Sequence, residues 1–77
     1  MKNENALVVL EEVAVSLREA AENSEVTSTF DEGRMMGYYE ALSTLLSQCA
    51  VAGIAQKDIG MDGFVAESIL RPMKKAA

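Results

Sequence analysis

The sequence predicts an all-α fold, an antiparallel helical hairpin with a short C-terminal helical segment, with two hairpins dimerising into a four-helix bundle. Three observations carry this. Apolar residues recur at helical spacing over Ala6–Ala21 and again over Phe30–Ala52. A polar stretch, Asn23–Thr29, separates the two runs and has the length of a helix–helix connection. The chain has only 77 residues, so one hairpin leaves much apolar surface for a second copy to cover.

Residues 1–77 are read as a single helical domain. An apolar fraction of 49% is high for this length and argues against disorder. The lone cysteine, Cys49, rules out an internal disulfide, and it falls on an apolar arc where an inert buried thiol is expected.

The first helix starts at Asn3 or Asn5, since either side chain can cap free amide groups. At about 100° per residue, Leu7, Leu10, Val13, Ala14, Leu17, Ala20 and Ala21 share one face. Glu11, Glu12, Ser16, Arg18, Glu19 and Glu22 take the opposite arc. Val8 and Val15, seven residues apart, stand on that polar side and form a thin second stripe, a candidate contact surface.

In the second helix, Thr29-Phe30-Asp31-Glu32 fits a capping box, with Thr29 as the cap and Glu32 three residues on. Asp31 and Glu32 also suit the positive end of the helix dipole. Met35, Tyr38, Tyr39, Leu42, Leu45, Leu46 and Cys49 form the buried arc. A row of smaller groups flanks it: Gly33, Gly37, Ala41 and Thr44. A glycine inside a helix costs about 1 kcal/mol relative to alanine, so this row predicts close approach by another backbone. Gly53 ends the helix in a left-handed conformation, and Ile54 folds back on the last turn.

Beyond Gly53 the chain is less regular. Asp62 is expected to cap a brief third helix through Phe64, Val65, Ile69 and Leu70, stopped near Pro72. Phe64, Ile69 and Leu70 are large enough to close one end of the hairpin core.

The chemical inventory is sparse. There is no histidine and only one thiol, so a zinc site within one chain is not expected. Asp58-Ile59-Gly60-Met61-Asp62-Gly63 echoes a calcium loop, but Ile69 stands where the bidentate glutamate belongs, and a turn explains these residues better. No serine has a base beside it in the sequence, and the paired carboxylates lie at the spacing of a solvated helix face rather than a desolvated pocket. In length and acidity the chain resembles acyl carrier proteins. Their Asp-Ser-Leu motif is missing, however, since the second helix opens Thr29-Phe30-Asp31-Glu32 and Glu67-Ser68-Ile69-Leu70 lies near the wrong end. Nothing of that family's function is therefore carried over. No catalytic, cofactor-binding or metal residue is expected, and the protein is not read as an enzyme.

Charge narrows the partners. The net charge of −5 opposes the phosphate neutralisation that nucleic-acid binding needs. It is unevenly placed: residues 1–40 hold nine acids and three bases, residues 41–77 three acids and four bases. Lys74 and Lys75 form a small basic tail. The run Ala6–Leu10 is too short for a secretory signal and is followed by Glu11 and Glu12, and no run is long enough to span a bilayer, so a cytoplasmic protein is the default.

The expected function is a small, acidic, non-enzymatic interaction or regulatory module acting as a homo-oligomer, most simply a homodimer. The expected interface takes in Gly33, Met36, Gly37, Ala41 and Thr44, with Val8 and Val15 as a second surface. One alternative is a small-molecule-binding or enzymatic bundle built on Tyr38, Tyr39 and nearby carboxylates. The other is an acidic, immunity-like inhibitor that masks a partner with a basic surface.

Overall fold

The computed structural model describes residues 3–71, with side chains from Asn5 onward. Helix α1 spans Asn3–Asn23 and helix α2 spans Thr29–Val51. Two short 3₁₀ turns follow, Gln56–Ile59 and Ala66–Ile69. The described residues contain no strand, and none of their helices is long and apolar enough to cross a membrane. The all-helical hairpin is as the sequence predicts. The molecule is a rod of 50 × 19 × 18 Å.

The hairpin seam follows a seven-residue rhythm. Ala14 and Ala21 on α1 are fully buried, with Leu7, Leu10 and Leu17 packed beside them. On α2 the buried line is Met35, Leu42 and Cys49, again seven apart. A sustained seven-residue repeat keeps one stripe facing its neighbour along a whole helix. The fully buried residues are thus small on α1, alanine, and larger on α2, methionine, leucine and cysteine.

The start of α2 is one residue earlier than expected. Ser28, in an extended conformation, is the cap, and its hydroxyl accepts from the Asp31 amide at 3.2 Å. Asp31, not Glu32, returns the bond: its carboxylate accepts from the Thr27 amide at 3.0 Å and from the Thr27 hydroxyl at 2.9 Å. Serine and threonine have similar capping power, so chemistry alone did not separate Ser28 from Thr29. Within the connection Ser24–Ser28, Val26 is the buried residue and joins the core.

At the other end α1 is already helical at Asn3, so Asn5 lies inside the helix and does not cap it. The Asn3 side chain lies outside the described residues. The C-terminus of α2 closes as expected. Gly53 takes a φ of 78° and donates to Ala50, while Ile54 donates to Cys49 at 2.8 Å and packs on the core.

The C-terminal portion departs most from expectation. Asp62 caps nothing. It is exposed in a turn, and Gly63 directly after it takes a φ of 74°, which a right-handed helix cannot include. The last 3₁₀ turn starts only at Ala66, after an extended Val65, with no side-chain cap. Pro72 and the basic pair Lys74 and Lys75 lie outside the described residues.

Residues 54–71 form a strap that runs the length of the hairpin rather than a plug at one end. Ile54 lies with Ala6, Leu7 and Leu10 near the start of α1. The backbone at Gly60 rests on the Glu11 side chain, 3.2 Å from where a Cβ would be. The Arg18 guanidinium stacks over the Phe64 ring, 4.7 Å from its centroid. Arg71 reaches the end of α1, donating to the Ala21 carbonyl at 3.0 Å and the Ser24 carbonyl at 2.6 Å. Ile59, Met61, Phe64, Ala66 and Ile69 are buried along this path, whereas Leu70 is largely exposed.

The strap is held in shape by Gln56. Its amide nitrogen donates to the carbonyls of Met61 at 2.9 Å and Phe64 at 3.0 Å. Asp58, first residue of the calcium-like run, accepts the Ala55 amide at 3.1 Å. Both polar side chains thus replace backbone ladder bonds that an irregular segment cannot make.

Candidate functional site

Among the described residues, the strap covers one side of the hairpin and leaves the other bare. On α1 the bare side carries Val9, Val13, Ser16 and Ala20, which recur at three- and four-residue spacing. Val9 is 58% exposed and Val13 46%. Val13 and Ala20 therefore stand outside the buried stripe to which the periodicity assigned them. The seam needs only the narrower line through Leu7, Leu10, Ala14, Leu17 and Ala21, and the strap approaches from the Glu11–Arg18 side, so among the described residues Val13 is only half covered, beside Tyr38.

Across the groove, α2 presents Tyr38 and Leu45, both half-buried, with Ala41 between them. Tyr38 closes a shallow open depression of about 400 Å³ whose other walls are Glu12, Val13, Ser16, Leu17 and Ala20. The middle of the face, from Val13 to Ala20 and from Tyr38 to Leu45, carries no charged residue among those just named apart from Glu12 at its margin. Its α1 rim carries Glu12 and Glu19, and its α2 side carries Arg34. Arg34 already donates to Asp31 at 3.1 Å, an exposed pair one turn from the helix start. Asp31 sits below the ordinary carboxylate range, chiefly through the hydrogen bond from the Thr27 amide, then the Thr27 hydroxyl.

The residues the sequence marks for an interface are spread over several sides. Gly33, Gly37, Ala41 and Thr44 are all exposed on α2, and Met36 is 48% exposed. Among the described residues, a Cβ at Gly33 or Gly37 would meet nothing within 4 Å, so none of their backbone approaches either glycine. Ala41 borders the bare face, with Gly37 at its edge, whereas Met36 shares a side with Ser43 and Ser47, which stand near the strap. On α1, Val8 is exposed and Val15 half-buried, on the side shared with Glu11 and Arg18. In the aromatic and methionine cluster, Met35 is core, Tyr38 and Tyr39 are half-buried, and Phe30 is exposed.

Chemistry finds little to work with in this arrangement. Cys49 is a free, buried thiol. Among the described residues no three potential metal ligands gather, and no buried side-chain polar atom lacks a hydrogen-bond partner. The two residues that most shape the molecule, Gln56 and Arg71, carry no sequence signal of their roles. A glutamine between two turns and an arginine before a proline are ordinary surface residues until the strap is in place.

Comparison with protein families, curated proteins and solved structures finds no match for this chain.

Proposed function

We propose that this protein is a small, acidic, non-enzymatic interaction module that works as a homodimer. The observation that carries this reading is the inequality of the hairpin's two sides. One is filled by the strap, and the other holds exposed valines beside a half-buried tyrosine, left uncovered by the described residues and charged only toward its rim. Small proteins seldom leave a contiguous apolar face open, and tyrosine with aliphatic neighbours is a composition favoured at interfaces. A second hairpin on that face makes a four-helix bundle with both straps outside. Sedimentation equilibrium across the micromolar range tests it. A dimer is expected, and a monomer throughout overturns the reading.

A second reading is favoured by the charge on α1. Glu11, Glu12, Glu19 and Glu22 are exposed along one helix, continued by Glu25 in the connection. Such a strip suits a partner with a basic surface, whose association would slow steeply as salt rises.

A further inference from the structure

We infer that the second copy sits on the bare face with its α2 against this chain's α1, so that Glu19 of one protomer meets Arg34 of the other. The inference rests on the homodimer reading above and gives it an orientation.

Two twofold arrangements stack one hairpin on another. An axis across the helices sets α1 on α1 and α2 on α2, each pair antiparallel. An axis along the helices sets α1 on the partner's α2 twice over. Shape alone does not choose between them, because both bury Val9, Val13 and Ala20.

Charge does choose. The α1 rim of the bare face carries Glu12 and Glu19, both exposed. Pairing α1 with its own copy brings these acids against the same acids, and like charges set opposite one another at an interface are disfavoured. Pairing α1 with the partner's α2 sets them along a helix that offers Arg34 at this face, with Asp31 as its partner within the chain. Height agrees as well. In the hairpin Tyr38 stands across from Glu12–Ala20, so Arg34, one turn nearer the loop, lies toward the end of α1. A twofold along the helices preserves that level, so Arg34 comes within reach of the partner's Glu19. Asp31, which holds Arg34 within the chain, contacts it through one carboxylate oxygen and one guanidinium nitrogen, leaving further donors free.

The area is of the right order. Two helices of this length, about 30 Å long and side by side, present a face on the order of 600 Å² in plan, close to the ~800 Å² of accessible surface per partner that stable interfaces bury.

The test uses the full chain in sedimentation equilibrium, with helicity checked by circular dichroism. Val13→Glu should abolish the dimer, while Val8→Glu, on the strap side, should leave it. Glu19→Arg alone and Arg34→Glu alone should each weaken the dimer about tenfold, because the twofold repeats the pair. The double variant should restore it, which no loss of folding in the single variants can imitate. A wild-type monomer overturns both the dimer and its orientation. A wild-type dimer that the single reversals leave intact, or the double variant fails to restore, overturns the orientation and leaves the homodimer standing. A dimer that survives Val13→Glu overturns the choice of face.

Discussion

Arg71 caps α1 from 50 residues away. Its guanidinium donates to the Ala21 carbonyl at 3.0 Å and to the Ser24 carbonyl at 2.6 Å. The last turn of α1 has no basic residue of its own, so the negative end of its dipole is met by a side chain from the strap. Ser24 meets the neighbouring carbonyls, its hydroxyl donating to Ala20 at 2.7 Å and its amide to Ala21 at 3.2 Å.

Arg71→Ala should therefore destabilise the protein by about 1–2 kcal/mol, the range for a partly exposed charged hydrogen bond. Arg71→Lys should recover only part of this, since a single ammonium does not match two carbonyls as a planar fork does. Urea denaturation of the three proteins measures both differences.

Gln56→Leu should cost about 1–3 kcal/mol, because the Met61 and Phe64 carbonyls lose a partner in a partly buried setting. Hydrogen exchange should locate the loss. Strap amides should exchange faster than in the wild type, and the amides in the middle of α2 should change least.

Ser28→Ala should lower stability by about 1 kcal/mol, and Thr29→Ala should be near neutral. Thermal melts of the two variants decide which residue is the cap. The reverse order would restore the capping box that the sequence suggested.

Acid should expose the role of Asp31. Its folded-state pKa is depressed, chiefly by the Thr27 amide and then the Thr27 hydroxyl. A depressed carboxylate contributes stability that is present above its unfolded pKa and lost as the pH falls through the folded one. The contribution should thus vanish below the ordinary carboxylate range. Asp31→Asn should be less stable than wild type at neutral pH, and the gap should close in strong acid. Denaturation curves at both pH values give the comparison.

Gly37→Ala should stabilise the helix by about 0.5–1 kcal/mol, because a Cβ there meets nothing within 4 Å. It should leave the sedimentation of the protein unchanged if the bare face is the interface, since Gly37 lies only at that face's edge.

The hairpin was legible because its signals are local and periodic. Leu7, Ala14 and Ala21, and then Met35, Leu42 and Cys49, repeat with the helix, and Gly53 with Ile54 punctuates it. The strap was not legible because its signals are neither. Ile59, Met61, Phe64 and Ile69 are spaced irregularly, since a 3₁₀ turn, a loop and another 3₁₀ turn each point side chains by a different rule. Val13 and Ala20 were misassigned for a related reason. Periodicity marks which residues are apolar on one side of a helix, but the width actually buried depends on where the third element lies, and the strap lies on the other side. The same ambiguity hides the bare face in the sequence, because Val13 and Ala20 read as core and Val9 carries no assignment until the strap's position is known.

The path of the strap also bears on how fast the molecule can form. Helical hairpins usually fold quickly because most of their contacts are close in sequence. Here Arg71 reaches back across 50 residues to Ala21, and Phe64 must find Arg18 on a helix formed far earlier in the chain. Each such closure costs loop entropy before its contact is gained. The groove that receives Ile59, Met61 and Ile69 exists only after α1 and α2 have paired. Docking of the strap is therefore the natural last step, and until it happens Met35, Leu42 and Cys49 lack their full cover. A protein made almost wholly of helix should on this account fold more slowly than its secondary structure suggests, with the delay set by the arrival of its least regular segment.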